Sequence, residues 1–437
     1  MKKAIRFSVA AAAVAATGLA LTGCAPSAPA GDGEVTIFGA YGEAQTKAFQ
    51  AELDAWSAES GIKVTFTSLA SFDTDIQAKI AAGDTPDIGM WPQPGGLKKQ
   101  ADAGVLVSLE DLAGFDLNAP KQTLVPGWDT LNVAADGKLY GLPVSANVKT
   151  LVFYNPAAFA AAGYTVPTSD AELTALIDQI KADGSGYPWC AGIESGGATG
   201  WPFTDWLEQY VLDYNGTETY GKWITGDVTF DSPEVTKAVD KVASLLLTDG
   251  NVNGGGAAMS TDGFGDTAPL FETGGKAAGQ CFMLRQGSFI TDFFPDAIKA
   301  EVAAGDFTHV GVFPLPAPAD GAGAGVLGGG DSFGVFAGHE DADVVAVAQF
   351  IASDKIGTVM ASQSSFVSPH ATFDTSLYPN DLTKAVGETM ANAAFFGFDA
   401  SDQMPTEVNA EFWAAGTEYI AGKIDWATAA GRIQAKY

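Results

Sequence analysis

The sequence has few of the residues on which metal, redox and nucleic-acid chemistry usually depend. Its 437 residues include 3 histidines and 3 cysteines, and 23 lysines and arginines stand against 52 aspartates and glutamates, for a formal net charge of −29. The histidines (His309, His339 and His370) are isolated and lack the His-x-x-x-His or Cys-x-x-Cys spacing of metal sites. A surface this acidic repels phosphates and anionic lipid heads, so we expect no nucleic-acid partner.

Long apolar runs are also missing, except at the N-terminus, and no other segment reaches the roughly 18 apolar residues of a membrane span. The first residues, MKKAIRFSVAAAAVAATGLALTGC, combine a basic start with an apolar run and predict an export signal at 1–23. Its end resembles a bacterial lipobox, so we expect a diacylated Cys24 on the outer face of the cell membrane, followed by a tether at 24–33. An uncleaved anchor helix is the alternative.

Assigning Cys24 to lipid leaves two cysteines in an oxidising compartment, where pairing is expected. We therefore predict a disulfide between Cys190 and Cys281, with a free buried pair as the alternative. Such a bond would stabilise the fold by up to about 4 kcal/mol in the chain-entropy model.

Hydrophobic periodicity alternates between strand and helix along the chain. Strand-like Val35–Phe38 is followed by apolar residues at helical spacing (Phe49, Leu53, Trp56) and by an alternating strand at 62–66, which favours an α/β sheet. The pattern also predicts a hairpin at Asp136-Gly137, helices at 72–82, 169–183, 203–213, 233–247, 264–273, 341–352, 355–362 and through most of 380–437, strands at 277–284, 309–313 and 332–337, and a Gly-rich loop at 321–330.

The length of the chain exceeds one ordinary core, which favours two domains. A proline-rich passage, Pro314–Pro318, separates α/β segments and indicates that the chain crosses between two lobes more than once, as in hinged proteins. We predict lobe 1 at 34–145 and 317–372, and lobe 2 at 146–316 and 373–437.

Several segments together resemble a known family. They are FDTDIQAKIAAGDTPDIGMWPQPGGLKKQADAGVLVSLEDL (72–112), YGLPVSANVKTLVFYNP (140–156), PWCAGIESGGATGWPFTDW (188–206), CFMLRQGSF (281–289) and GVLGGGDSFGVF (325–336). The chain is similar to extracellular solute-binding proteins of carbohydrate ABC importers, family 1, and most to the α-glucoside-binding branch. One departure is the loop Phe38–Glu43, which lacks the Trp often found there in sugar binders.

The resemblance implies a fold and a function. The fold would be α/β, a two-lobed, periplasmic-binding-protein-like (type II) clamshell with an interlobe hinge. The protein would be a monomer that closes on an α-glucoside or short α-gluco-oligosaccharide and delivers it to an ABC permease, without cofactor or chemistry. A separate ATPase would supply the energy, because the chain has no G-x-x-x-x-G-K-[ST] loop.

A sugar needs flat apolar plates for its C–H faces and directional polar groups for its hydroxyls. The segment 188–206 offers Trp201 as a plate, with core packing as the alternative, and Asp205 and Glu194 as hydroxyl partners. Asp205 has helix capping as its alternative role.

Six further candidates come from loops and strand ends. Trp91, Tyr41 and Glu43 follow predicted strands, at the edge where α/β sheets place ligands. Asn147 lies near a predicted lobe crossing, Arg285 follows the strand of Cys281, and Asp331 is expected to be exposed after three glycines. The alternative for Arg285 is a structural ion pair.

Other functions fit the sequence less well. Gly330–Gly334 matches the G-x-S-x-G motif of serine hydrolases, with His370 downstream of Ser332, but Ser332 is followed by strand-like residues rather than a helix. A glycosidase needs a specific carboxylate pair, and none is singled out among so many acidic residues. A clamshell receptor for a non-sugar solute, such as a peptide or polyamine, remains the alternative binding function.

Overall fold

The computed structural model describes residues 28–69, 72–363 and 366–437. Cys24 and the predicted export signal lie outside the described residues. Within the described ranges, no helix combines the length and the apolar composition needed to span a bilayer. Over the same ranges the strands form three sheets, with six, four and three strands.

The elements alternate along the chain as the periodicity predicts. The strands are β1 Glu34–Gly39, β2 Lys63–Ser68, β3 Ile88–Trp91, β4 Leu106–Val107, β5 Leu142–Pro143, β6 Asn147–Val148, β7 Leu151–Tyr154, β8 Tyr187–Trp189, β9 Cys281–Gln286, β10 Gly311–Pro314, β11 Gly325–Gly329, β12 Ser332–Phe336 and β13 Phe395–Phe398. The α-helices are α1 Glu43–Ser60, α2 Phe72–Ala82, α3 Pro94–Asp102, α4 Asn118–Lys121, α5 Pro156–Ala162, α6 Asp170–Asp183, α7 Trp201–Ile224, α8 Pro233–Leu246, α9 Gly255–Met259, α10 Ala268–Phe271, α11 Asp296–Ala303, α12 Ala342–Ile351, α13 Met360–Gln363, α14 Asp381–Ala391, α15 Ala400–Gln403, α16 Thr406–Ile420 and α17 Trp426–Gln434.

The six-stranded sheet has the order β2-β1-β3-β12-β4, with β5 also paired to β12. Strand β1 is parallel to β2 and β3, whereas β12 is antiparallel to β3 and β4. Strands β3 and β12 are buried at every position, as expected for strands covered on both faces. Strand β12 therefore completes the centre of a sheet whose other strands come from residues 34–143.

The four-stranded sheet has the order β10-β7-β9-β8, and all its strands come from residues 151–314. The predicted disulfide is confirmed here: Cys190 follows β8, Cys281 begins β9, and their Cα atoms are 5.2 Å apart. The bond fastens the segment that leads to α7 onto the strand that carries Arg285.

The three-stranded sheet, β13-β11-β6, brings together strands from distant parts of the chain. Strand β11 occupies residues that were predicted as a Gly-rich loop, and that prediction is wrong for Gly325–Gly329. The glycines are needed because neighbours press on the backbone: a Cβ on Gly325 would meet the Phe395 ring, and one on Gly328 the Asn147 carbonyl oxygen. Low strand propensity is overridden by this close packing.

Most predicted helices are present with small shifts in their ends. The helix predicted at 264–273 shortens to Ala268–Phe271, and the one at 355–362 is mostly turns before Met360–Gln363. In the second case Gly357 adopts a φ of +92°, a left-handed conformation that interrupts a helix. The Asp136-Gly137 turn is present, closed by a bridge between Val133 and Leu139.

Helix α7 carries buried polar side chains that contact Thr150, which follows β6, and Gly325 of β11. Gln209 accepts a hydrogen bond from Thr150 Oγ1 (2.5 Å) and donates one to the Gly325 carbonyl (3.0 Å). Asp213 accepts from the Gly325 amide (2.9 Å). These bonds attach α7 to the three-stranded sheet.

Candidate functional site

A pocket of about 260 Å³ lies where α7, α15 and α16 meet. Its walls combine aromatic rings with charged and hydroxyl groups, as in sites that bind polar ligands with apolar faces. The lining residues are Lys149, Ala198, Trp201, Phe289, Asp399, Ser401, Asp402 and Trp413. All of them belong to the residues predicted for lobe 2.

Trp201 forms one wall of this pocket. It is the first residue of α7 and follows Gly200, whose φ of +113° and close approach to the Trp413 carbonyl oxygen require a glycine. The Trp201 ring lies 5.1 Å from Phe264 and 5.9 Å from Phe289, measured between ring centroids. The ring is half-buried, so part of its surface faces the pocket.

Lys149 supplies a fixed positive charge beside this ring. Its Nζ atom lies 5.3 Å from the Trp201 ring centroid, within cation–π range. The same ammonium donates to Asp205 Oδ1 (2.9 Å) and Asp399 Oδ2 (2.6 Å). Burial alone would lower the pKa of Lys149, but the two carboxylates more than offset this and raise it. Lys149 therefore stays charged.

Asp399 links the pocket to strand β13. Its Oδ1 accepts from Ser401 Oγ (2.8 Å) and from the Asp402 amide (3.1 Å), which caps the short helix α15. Burial raises the pKa of Asp399, but Lys149 and these donors outweigh it and lower the pKa to about 2. The charge of Asp399 is thus held in place at the pocket wall.

Two further buried charged residues, Glu208 and Arg285, bond to the backbone behind the pocket wall. Glu208 accepts from the amides of Ala400 (2.8 Å) and Ser401 (3.1 Å), and burial raises its pKa well above the ordinary value. Arg285 donates to the Asp205 carbonyl (3.0 Å). These buried groups orient α15 and the start of α7.

The oxygens of Asp205, Glu208 and Asp399 lie within 4.8 Å of one another, a spacing compatible with a metal ion. Lys149 and, at 3.7 Å from Asp205 Oδ2, Arg285 balance the charges of Asp205 and Asp399, and burial raises the pKa of Glu208 well above its ordinary value. We therefore interpret the cluster as an ion-pair network rather than a metal site.

A second polar cluster involves the predicted site residues Tyr41 and Asp331. Tyr41 donates to Ser145 Oγ (3.2 Å), which in turn donates to Asp331 Oδ2 (2.8 Å). The expectation that Asp331 is exposed is wrong, because it follows strand β11 and pairs with Ser145 in the interior. Burial raises the pKa of Asp331 to about 6, only partly offset by the Ser145 bond.

The remaining sequence candidates lie apart from the pocket lining. Trp91 is 1 % exposed; its ring packs against Phe72 and Phe336 and covers Gly89, so it presents no face to solvent. Asn147 is half-buried on β6, paired with Gly329.

Two acidic candidates are exposed. Glu43 begins α1 and forms a surface ion pair with Lys47 (2.7 Å), which lowers its pKa. Glu194 accepts from the Gly196 amide (2.7 Å) in the loop that precedes Trp201. Asp205 and Arg285 lie behind the pocket, at 1 % and 5 % exposure, where they hold Lys149 and α7 in position.

The geometry around Ser332 does not form a hydrolase nucleophile. Ser332 begins β12 in the centre of the six-stranded sheet, with its hydroxyl buried and without a hydrogen-bond partner among the described residues. His370 bonds through Nδ1 to Thr123 (2.8 Å). The strand–turn–helix elbow that exposes a catalytic serine is absent at this position.

Helix α15 also faces the predicted lobe 1. It packs against α3, and a Cβ on Gly95 would lie 3.6 Å from the Asp402 carbonyl oxygen. The two predicted lobes thus touch beside the pocket, through backbone.

Sequence reasoning missed most of the polar pocket wall. Asp399, Ser401 and Asp402 lie about 200 residues from Trp201 along the chain, and no local pattern links them. Phe289 had a usable signal: Gly287 precedes it, and its ring folds over that glycine.

A family model described as "Bacterial extracellular solute-binding protein" matches residues 40–357. The chain belongs to this family. Its members bind solutes for ABC transporters, so this solute-binding protein is not an enzyme.

Two curated relatives match this solute-binding protein along most of its length. The osmoprotective compounds-binding protein GgtB of Synechocystis sp. is 35% identical, over 92% of this chain and 93% of the relative. The alpha-glucosides-binding periplasmic protein AglE of Rhizobium meliloti is 33% identical, over 91% and 85%.

Solved structures show the same fold. The solute receptor AcbH, described with an exclusive preference for β-D-galactopyranose, aligns with a TM-score of 0.73 at 19% identity, over 92% of this chain and 96% of the other. The cyclic alpha-maltosyl-1,6-maltose binding protein of Arthrobacter globiformis gives 0.66 at 20%, over 92% and 97%. This solute-binding protein is therefore a two-lobed α/β clamshell of the type II periplasmic class.

Proposed function

We propose that this protein binds an α-glucoside or a short α-gluco-oligosaccharide in the Trp201 pocket and delivers it to the permease of an ABC importer. The observation that carries this is the composition of the pocket. The aromatic residues Trp201, Phe289 and Trp413 line the pocket together with Asp402 and with Lys149 and Asp399, which form an ion pair. Such a site suits a neutral ligand with apolar faces and a hydroxyl rim.

The choice of α-glucosides rests on similarity. AglE, whose name states that ligand, is 33% identical, whereas the two solved structures compared above are 19% and 20% identical. Asn147 and Glu194 stay as proposed contacts from outside the pocket wall, to be engaged when the lobes close. Tyr41, Trp91 and Asp331 have less support because they are buried, and Glu43 has less support because it forms an ion pair with Lys47.

The route of delivery is part of the proposal. Lipid on Cys24 would hold the monomer at the outer face of the cell membrane, next to a permease that is driven by a separate ATPase. Closing the predicted lobes (34–145 with 317–372, and 146–316 with 373–437) around the sugar would create the form that the permease recognises. A ligand held by both lobes shifts the population toward that form.

Calorimetry with maltose, trehalose, sucrose and longer α-glucans tests the ligand, with chromatography to show that the sugar is recovered unaltered. Trp201→Ala should weaken binding by roughly 1–3 kcal/mol, because truncating a packed aromatic contact costs that much. Trp56→Ala is the matched control, since Trp56 is also half-buried but stacks on Phe350 of α12. Equal affinity in wild type and Trp201→Ala would refute the assignment of the pocket.

A second candidate ligand is an osmoprotective compound, the class that the name of the 35% identical relative GgtB states, and a non-sugar solute of this class is the alternative to an α-glucoside. Glycine betaine distinguishes the two candidates, because it is charged and has no sugar ring. The Lys149–Asp399 ion pair is already balanced and gains no missing partner from a charged ligand. Heat with betaine and none with any sugar would select this candidate.

A further inference from the structure

Aromatic rings continue outward from the pocket wall. The Phe264 ring centroid lies 5.1 Å from Trp201, and the Phe293 ring centroid lies a further 5.1 Å from Phe264. Phe293 is 45% exposed, which makes it one of the most exposed large apolar side chains of the described residues. The series Trp201–Phe264–Phe293 thus runs from the pocket to the surface.

The exposed ring of Phe293 is held in a fixed position. A Cβ on Gly265 would lie 2.6 Å from Phe293 Cδ1, so the ring packs directly on that glycine. The Phe293 carbonyl accepts from Thr267 Oγ1 (2.8 Å), and the next residue, Phe294, is buried against Phe153. A ring fixed at both its backbone and its underside loses little entropy when another group stacks on it.

Polar groups border the same rings. The Phe264 amide donates to the Glu194 carbonyl (3.0 Å), and the Glu194 amide donates to the Asp262 carbonyl (2.9 Å). The side chains of Glu194 and Asp262 are exposed. This pairing places carboxylates on the loop that leads to Trp201 and on the loop that carries Phe264.

The segment that carries Phe293 also lies at the lobe crossing. Residues Ser288–Phe293 form a 3₁₀ helix that contacts strand β6, and Phe289 of the same helix lines the pocket. The exposed ring therefore belongs to a structural unit that is already part of the candidate site.

We infer that Phe264 and Phe293 form a second sugar-binding surface, continuous with the Trp201 pocket, that takes the next sugar unit of an oligosaccharide. This inference rests on the proposed function and makes it narrower: the preferred ligand has more than one sugar ring. The exposed Phe293 ring and the half-buried Phe264 ring offer apolar plates, and the exposed Glu194 and Asp262 on the adjoining loops offer hydroxyl partners.

The test compares the affinities of methyl α-D-glucoside, maltose and maltotetraose for wild type and Phe293→Ala by calorimetry. The wild type should bind the oligosaccharides more tightly than the monosaccharide. Phe293→Ala should weaken oligosaccharide binding about 3- to 10-fold and change monosaccharide binding less than about 2-fold. Val133→Ala is the control, because Val133 is also exposed (37%) and lies in the turn closed by its bridge to Leu139, outside the pocket lining.

Each other outcome has a distinct meaning. Equal weakening for all three sugars, or no weakening for any, overturns the second surface while the proposed function stands. Unchanged affinities with reduced sugar uptake in cells also overturn it and assign Phe293 to permease contact. A wild type that binds no sugar in the wider panel defeats the proposed function itself, and this inference with it.

Discussion

Two buried carboxylate clusters, one at Asp331 and one at Asp399, are built from the same kind of residue but differ in their partners. Asp331 is approached by hydroxyls alone, from Ser145 and, behind it, Tyr41. Asp399 bonds directly to the ammonium of Lys149. Both side chains are at most 9% exposed, so burial is similar.

The difference in partners reverses the direction of the pKa shift. Burial raises the pKa of Asp331 to about 6, because a neutral hydroxyl compensates little of the lost hydration. Lys149 overcomes the same burial at Asp399 and lowers the pKa to about 2. One carboxylate therefore titrates near neutral pH, while the other remains a fixed charge at the pocket.

Removing the cation should have the largest effect. Lys149→Met leaves Asp205 and Asp399 buried without their ammonium partner and should lower the free energy of unfolding by about 3–5 kcal/mol. Urea denaturation measures this. Lys63→Met is the control: its ion pair with Glu34 is largely exposed and should contribute less than about 1 kcal/mol. A loss as small as in the control would mean that the network adds no stability.

Removing the disulfide tests whether the stability of the segments around the Asp399 cluster depends on the covalent bond between Cys190 and Cys281. Replacing Cys190 and Cys281 together by Ala should lower the free energy of unfolding by up to about 4 kcal/mol in oxidising buffer. Hydrogen exchange should increase in residues 188–206 and β9 but not around Asp331. Two free thiols in the mass spectrum of the wild type would show that no bond forms.

The two aspartates should respond to pH with opposite signs. The folded pKa of Asp331 is above its ordinary value of 3.8, so its ionisation destabilises the fold as pH rises through about 4 to 6. Relative to wild type, Asp331→Asn should therefore gain up to about 3 kcal/mol between pH 4 and pH 8.

The folded pKa of Asp399 is below 3.8, so its stabilisation is present above that pH and is lost as pH falls through about 2. Asp399→Asn should cost about 2 kcal/mol at pH 7. Urea denaturation of both variants at pH 2, 3, 4, 6 and 8 covers both titration windows, and parallel pH profiles would contradict the contrast.

The smallest effect is expected at the outer hydroxyl of the Asp331 cluster. Tyr41→Phe removes the bond to Ser145 but keeps the ring contacts with Phe49 and Phe66, so the loss should be about 1 kcal/mol. Thermal unfolding measures it. A loss comparable to that of Lys149→Met would mean that hydroxyls and cations are equally important in these clusters.

Local sequence patterns were sufficient to predict much of the fold. Helix α6 was predicted because apolar residues recur at helical spacing after Ser169, which caps it through the Glu172 amide. The disulfide followed from cysteine counting and compartment. Strand β11 was missed because glycine is favoured in loops, and only the packing of Asn147 and Phe395 against it explains those residues.

The site was harder to predict than the fold. Trp201 lies in the pocket wall because a glycine turn and a proline at the second helical position place it there, and both are local signals. Asp399 and Lys149 meet only because β13 and β6 flank β11, and nothing in either segment specifies that neighbour. Trp91 was assigned to a strand end, where burial by Phe336 from β12 could not be foreseen.

The late position of β12 in the chain has a consequence for biogenesis. The four-stranded sheet is complete once residue 314 has emerged, but β3 is paired only with β1 until residues 332–336 arrive. A chain that emerges N-terminus first therefore has an incomplete six-stranded sheet with an unpaired β3 edge. During this time the four-stranded sheet can fold and the Cys190–Cys281 disulfide can form. Chaperone protection during secretion should be needed most at that edge.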